Sequence, residues 1–398
     1  MVFSTRVKSI APSVTLAITA KSAKLREEGK DVISFGTGEP DFNTPENIMA
    51  AAVKAMEGGK TKYTAVSGIT ELKKAIVDKF RDDNGLEYDP SQILVSTGAK
   101  QSIAMALLAA INEGDEVLMA VPYWVTYPEL VKLAGGVPVC CEGSQENNYK
   151  LDRKLLEKYI TPRSRAMILN SPNNPTGSIY TLEELTEIAE VAKEHDLLIL
   201  SDEMYEKLIY GDNKHYSIAQ VSEDAYNRTL TINGVSKAYA MTGWRLGYAG
   251  GPLELIKLMS SVQSHVTGNA SSITQYAAVE ALTGDQSALH MMVEAFKKRR
   301  DLLVDLIEDI PMVSCKKPEG AFYVMMNVEE LVGKKHSGTK ITSALDFADR
   351  LLSEKLVAVV PGEGFGQDGY VRISYATSDD NIRKGMARVA EFVSALEN

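Results

Sequence analysis

Cysteine is nearly absent from this chain of 398 residues: there are three, with Cys140 and Cys141 adjacent and Cys315 far away. That pattern excludes a disulfide framework and fits no zinc site. Histidine is also scarce, at positions 195, 215, 265, 290 and 336, with no two at metal-ligand spacing. No metal is expected. Basic residues fall short of acidic ones, giving a formal net charge of −10, which argues against nucleic acid or an anionic membrane as a partner. The longest apolar stretches, such as Ala104 to Ile111, are far too short to span a membrane. Thr15 and Thr19 interrupt the only candidate run near the N-terminus, so no signal layout is legible there. A soluble, cytoplasmic protein is the expectation.

The middle of the chain alternates short apolar runs with amphipathic stretches. Strands are expected at Ile93–Thr97, Val117–Val121, Val137–Cys141, Ala166–Asn170, Leu197–Ser201, Thr229–Asn233 and Leu246–Gly250. One helix is well signed. Thr181 can cap it with Glu184 three residues on, and Leu182, Leu185, Ile188, Ala189 and Ala192 form an apolar stripe. It joins two strands as a right-handed βαβ unit. The pattern predicts an α/β fold: a large domain over 46–287 with a mostly parallel seven-stranded sheet flanked by helices. Beyond it, a long helix (Leu289, Met292, Val293, Phe296, Leu303, Ile307) opens a smaller α+β domain over 288–398, with strand-like pieces at Phe322–Met326, Val357–Val360 and Val371–Ser374. Residues 1–45 contain no βα unit and are expected to complete the smaller domain. Glu142–Tyr149 and Gly333–Thr339 read as polar surface loops.

In an open α/β sheet, ligands collect beyond the carboxyl ends of the strands. Unusual residues stand at those places here. Lys237 follows a β-branched run in Asn233-Gly-Val-Ser-Lys237, with Arg245 eight residues on. Partial burial lowers an ammonium pKa, and the free amine can then attack a carbonyl. Gly98-Ala99-Lys100 opens a helix, where small residues let backbone N–H groups approach a phosphate; a simple βα turn explains the glycine equally well. Lys100 is harder to explain that way, because a cation in a first turn opposes the helix dipole. Trp124 can cover a flat ring. Asn174 sits in the constrained loop Ser171-Pro-Asn-Asn-Pro-Thr-Gly177. Asp202 ends a buried strand, where a carboxylate is costly unless it meets a cation or strong donor; it could instead cap a helix. Tyr205 follows closely and could donate to a phenolate. A lysine for an aldehyde, an aspartate for a pyridinium nitrogen, small residues and Arg245 for a phosphate, and an aromatic for the ring together describe pyridoxal 5′-phosphate.

Gly36-Thr-Gly-Glu-Pro-Asp-Phe42, the loop 171–177, Ser201-Asp-Glu-Met-Tyr205, Ser236-Lys-Ala and Gly243-Trp-Arg-Leu-Gly247 carry a resemblance as well. They look like the motifs of class I aminotransferases of the fold-type I pyridoxal-phosphate group, in order, from about Arg6 to the C-terminus. Within that group the chain is most similar to the bacterial aspartate aminotransferase branch, which includes aspartate/prephenate enzymes. The resemblance implies a homodimer with active sites shared across the interface, acting on amino acids and 2-oxo acids. It further implies that Lys237 links to the cofactor aldehyde and then shuttles a proton. Asp202 keeps the pyridine nitrogen protonated, Asn174 and Tyr205 bond the ring hydroxyl, and Trp124 stacks on the ring. Gly98, Ala99, Ser236 and Arg245 hold the phosphate, with Tyr63 reaching it from a neighbouring subunit. Arg372 takes the substrate α-carboxylate, aided by Trp124, Asn174 and the Gly38 backbone.

The second carboxylate decides specificity. In the animal-type branch, an arginine of the neighbouring subunit reads it, but Ser260–Ser272 here holds no arginine or lysine. In the bacterial branch a lysine at the phosphate-loop helix takes that role, and Lys100 stands there, with Ser13 and Thr15 matching residues of the same pocket. His265 lies in the stretch expected to line the neighbour's pocket. Ala11 stands where prephenate-using relatives often carry a basic residue, and Gly234 where the animal-type branch has a phosphate-binding serine. Aspartate with 2-oxoglutarate is the expected pair. A class I aminotransferase of broader acidic or aromatic specificity, or a β-lyase on the same fold, would share nearly everything except the substrate-end residues. A ligand-sensing regulator is disfavoured, since no basic helix pair precedes Val32. Gly362-Glu-Gly-Phe-Gly366 superficially resembles a kinase loop but lacks the downstream catalytic element, and reads as a substrate-side loop.

Overall fold

The computed structural model describes residues 3–397. A short first strand, β1 (Ile33–Ser34), pairs far along the chain; the main sheet begins after it. That sheet contains β2 (Ile93–Ser96), β3 (Glu116–Val121), β4 (Val137–Glu142), β5 (Ser164–Asn170), β6 (Leu198–Asp202), β7 (Thr229–Gly234) and β8 (Gly247–Gly250). Their spatial order is β2-β8-β7-β6-β5-β3-β4. Only β8 runs against its neighbours; the remaining contacts are parallel. Each expected strand is present, within a residue or two at its ends. The continuous apolar runs are explained by burial on both faces: every residue of β2, β7 and β8 is buried.

The helix Leu182–Glu194 is capped as its sequence predicts. Thr181 Oγ1 accepts from the Glu184 amide (3.2 Å), and the Glu184 carboxylate accepts from the Thr181 amide (2.8 Å). Its stripe differs at one position. Leu182 is exposed while Val191 is buried.

The smaller α+β part follows the 22-residue helix Ser287–Glu308, which buries Leu289, Met292, Phe296, Leu303 and Ile307. Val293 is only partly buried. Next come β9 (Ser314–Cys315), β10 (Tyr323–Asn327), β11 (Lys335–His336), β12 (Thr339–Lys340), β13 (Val357–Ala358), β14 (Val360–Pro361) and β15 (Tyr370–Ser374). The order β14-β15-β10-β9 forms an antiparallel sheet. The stretch Val357–Val360, expected as one strand, is divided: β13 pairs with β1, while β14 pairs with β15. The loop expected at Gly333–Thr339 contains a short hairpin, β11 with β12. Positive φ at Ser337 and Gly338 makes its reversal, a conformation that polar composition alone does not reveal.

Candidate active site

Five strands of the main sheet deliver side chains to one cleft of about 630 Å³, at their carboxyl ends. Ala99 and Lys100 follow β2, Trp124 follows β3, Asn170 and Asn174 end or follow β5, Asp202 ends β6, and Ser236 and Lys237 follow β7. Ser13, Thr15 and Gly38 from the N-terminal segment, Tyr205, Arg245, and Tyr323 and Arg372 from the smaller sheet complete the lining. The sequence separations are large, but the parallel register gathers these positions: Asn170 lies opposite Asp202 across β5 and β6.

Lys237 is partly buried, and its Nζ donates to the Gly38 carbonyl. Its pKa falls to about 8, first through burial, with Arg372 and Arg245 adding to the effect and Glu39 and Asp202 opposing it. A neutral amine is therefore accessible near neutral pH. Asp202 goes the other way: burial pushes its carboxyl up to about 6, offset by the Tyr127 hydroxyl and the Met204 amide. Tyr127 Oη donates at 2.7 Å and Met204 N at 3.2 Å.

Arg372, on β15, is 2% exposed. Its Nη1 donates to Asn174 Oδ1 and its Nη2 to the Gly36 carbonyl, both at 3.0 Å, while its Nε has no partner. The guanidinium stands over the rings of Tyr323 (4.4 Å) and Phe365 (5.0 Å). Lys100 Nζ stands 4.9 Å from the centre of the Trp124 ring. Its pKa is held below the usual lysine value by loss of solvent and then by Arg245. Among the described residues, none of Lys100, Lys237, Arg245 and Arg372 makes an ion pair. Arg372 is buried and Lys237 half-buried, whereas Lys100 and Arg245 are exposed. A buried unpaired charge costs several kcal/mol, and the four cations together can attract anionic groups into the cleft.

The phosphate corner fits its expected ligand. The helix Ala99–Ala110 begins at Gly98 (φ +82°) without a side-chain cap, leaving its first amides free. A Cβ at Gly98 would lie 2.4 Å from Arg245 Nη2, and one at Gly247 would lie 2.2 Å from the Ala99 amide nitrogen. Only glycine at both positions lets Arg245 and the helix start close together. Arg245 itself has φ +55°, with Nη1 bonded to the Thr242 carbonyl (2.9 Å). Gly98 backs this corner rather than lining the cleft. Tyr205 Oη lies 3.0 Å from Tyr323 Oη. Ser13 caps the helix Val14–Glu27 as well as lining the cleft. Tyr63 is 99% exposed and is not brought to the cleft within this chain.

Sequence reasoning missed Tyr127, Asn170 and Tyr323. Asn170 carried a legible signal, a polar residue ending an apolar strand as Asp202 does. Its Nδ2 donates to the Asp202 carbonyl (2.8 Å), and its Oδ1 accepts from the Asn174 amide (2.9 Å). Tyr127 and Tyr323 had none, since both positions are set by packing. The structure also brings His215 beside Glu203 and Glu206, with one ligand atom of each within 4.8 Å of the others. The ammonium of Lys79, paired with Glu206, already supplies a cation there.

Residues 30–389 match the family described as aminotransferase class I and II. The chain belongs to that family, whose cofactor is pyridoxal phosphate, and the uncapped helix start, the glycine-backed arginine and the cleft lysine fit that group. Similar proteins narrow the field. Aspartate aminotransferase of Bacillus sp. (strain YM-2) is 49% identical over 388 residues, covering 98% of each chain. Aspartate/prephenate aminotransferase of Cereibacter sphaeroides is 50% identical over 389 residues, covering 97% of each. The crystal structure of the aspartate aminotransferase from Rhizobium meliloti superposes with TM-score 0.97 at 45% identity, covering 100% of both chains. The Thermus thermophilus enzyme with maleate superposes with TM-score 0.93 at 43% identity, covering 98% of this chain and 100% of that one.

Proposed function

We propose that this chain transfers the amino group of L-aspartate to 2-oxoglutarate, yielding oxaloacetate and L-glutamate. The observation that carries this reading is the pair of cations, Arg372 and Lys100, lining one cleft with Lys237 and making no ion pair among the described residues. A dicarboxylate ligand supplies two such groups. Bound pyridoxal phosphate contributes an aldehyde that captures an amino group and a ring that withdraws electrons. The protein contributes position and protons. Arg372 grips the α-carboxylate, with Asn174 fixing its fork. Lys100, Ser13 and Thr15 receive the distal carboxylate. Lys237 Nζ, poised near neutrality, takes and returns the proton at the substrate Cα. Asp202 would hold the charge on the ring nitrogen, Tyr205 and Asn174 would bond the ring hydroxyl, and Ala99, Ser236 and Arg245 would hold the phosphate, with Gly98 backing them. Trp124 covers the ring.

The active unit in this reading is a homodimer located in the cytoplasm. Tyr63 protrudes nearly fully exposed, and Met49, Val53 and Met56 leave an apolar stripe exposed on the helix Glu46–Glu57. Both are explained by a second copy, which receives Tyr63 at its own phosphate corner. The domain division is 46–287 and 288–398, with 1–45 completing the smaller domain. The β1–β13 pairing supports that last assignment.

A specific observation bears on prephenate as an alternative acceptor: Ala11, not a basic residue, lines the cleft, so oxaloacetate and 2-oxoglutarate are the preferred acceptors. The test is an amino-donor panel with 2-oxoglutarate, adding prephenate as acceptor and cystathionine as a cleavage substrate, alongside borohydride trapping at Lys237. Aspartate should lead the panel, and the cofactor adduct should map to Lys237. Cystathionine cleavage exceeding transamination would refute the assignment.

A further inference from the structure

Asp202 sits in a buried position with two donors on its carboxylate, and only one of them comes from a side chain. Tyr127 Oη bonds Oδ2 at 2.7 Å, while the Met204 amide bonds Oδ1 at 3.2 Å. The main chain beside it is pinned separately, its carbonyl accepting from Asn170 Nδ2 (2.8 Å) and the Ser171 amide (3.2 Å). Tyr127 is itself buried, at the first turn of the helix Tyr127–Ala134. Its ring meets the Trp124 ring edge-on at 5.4 Å, and its amide donates to the Trp124 carbonyl at 2.9 Å. One residue thus ties the indole that lines the cleft to the carboxylate at its floor.

We infer that Tyr127 is a positioning residue for Asp202, its phenol keeping the carboxylate ionised and oriented toward the nitrogen of the bound heterocycle. This rests on the cofactor reading above. The titratable groups facing Asp202 are Tyr127, Glu203 and Tyr205 and, from beyond β7, Lys237. Glu203 disfavours the carboxylate ion and Lys237 favours it at a distance, but Tyr127 alone among them bonds it. The phenol of Tyr127 is held far above its usual range, mainly by burial and then by Asp202. It therefore remains a donor at every working pH. Burial already brings Asp202 up to about 6, so removing the phenol moves its protonation toward neutral pH.

The test compares wild type, Tyr127→Phe and a protein carrying 3-fluorotyrosine at 127, whose more acidic phenol is a stronger donor. Two readouts do not depend on turnover: the dissociation constant of pyridoxal phosphate against pH, and the visible absorbance titration of the loaded protein. Tyr127→Phe should weaken cofactor binding at pH 7 roughly ten- to hundredfold, as for loss of a hydrogen bond to a charged group. Its acid limb should move to higher pH. The fluorinated protein should move that limb the opposite way, which a purely structural role would not do. Should Tyr127→Phe prove poorly folded by urea titration, the fluorinated protein decides alone. Wild-type affinity and pH profile in both variants would overturn the inference. A wild type that binds no pyridoxal phosphate would overturn the proposed function itself.

Discussion

Two clusters of charge meet at the end of β6, one buried and the other partly open to solvent, and they are built on opposite principles. Asp202 turns into the cleft, where Lys237, Arg245, Arg372 and Lys100 make no ion pair among the described residues. Glu203, the next residue, belongs to a network bonded within the protein. Its Oε1 accepts from Ser201 (2.9 Å) and Ser217 (2.7 Å), and its Oε2 lies 2.9 Å from His215 Nε2. Nearby, Glu206 pairs with Lys79 and accepts from Asn84 Nδ2 (2.9 Å), while Lys79 donates to Asn84 Oδ1 (2.6 Å). Burial opposes ionisation of Glu206, yet the Lys79 charge and these bonds hold its pKa down to about 2. One cluster matches its carboxylates to cations and donors of the protein, although His215 Nδ1 there lacks a partner. The other holds cations that make no ion pair among the described residues.

The sharpest way to break that contrast is to remove a charge from each side. Arg372→Met should lower kcat/KM for aspartate about 10²–10⁴-fold, the loss of two charge-assisted hydrogen bonds at about 1.5–3 kcal/mol each. The same change should leave cofactor-free stability unchanged or raised, because it deletes an uncompensated charge; steady-state kinetics and urea titration check the two halves. Glu206→Ala should do the reverse, destabilising by about 3–5 kcal/mol because the buried Lys79 loses its buried partner and keeps only Asp83 at 3.8 Å as a counter-charge. The wild-type contribution of Glu206 should be intact above pH 4.5 and be lost as pH falls toward 2, which acid titration of stability would reveal.

Lys237→Met probes the cleft side without substrate. A lysine whose folded pKa is about 8 binds fewer protons folded than unfolded between pH 8 and 10.5. Cofactor-free stability should therefore rise with pH across that window, by about 3 kcal/mol at most. The substitution should flatten the slope; a pH-independent wild type would contradict the amine's burial. The smallest effect concerns specificity. Lys100→Ser should cost dicarboxylates about 1.5–3 kcal/mol more than alanine as amino donor, and equal losses for aspartate and alanine would remove Lys100 from the distal pocket.

Much of this architecture was legible beforehand. The seven main strands announced themselves as apolar runs, and Thr181 with Glu184 marked a helix start correctly, because local chemistry decides such features. Lys237 and Asp202 were legible because each is a charged residue at the end of an apolar strand, Asn174 because its loop is constrained by prolines and glycine, and Arg372 only through the resemblance to class I aminotransferases. Tyr127 and Tyr323 were not, because a tyrosine is equally at home in a core. Their role depends on which neighbour the hydroxyl meets. The Gly333–Thr339 hairpin and the division of Val357–Val360 between two partners were hidden for a related reason: pairing is a property of two strands, not of one.

Local composition, then, determined the α/β class, the position of the strands and the identity of the charged residues at their ends, since propensity, capping and the cost of burying charge act over a few residues. Only the tertiary structure decided that Arg372, from the smaller sheet, shares a cleft with Lys237 and Lys100, that Gly98 and Gly247 let Arg245 approach the helix start, and that Tyr127 closes on Asp202. Those are contacts between residues far apart in the chain, and they exist only once the sheet's order and register have brought its carboxyl ends together.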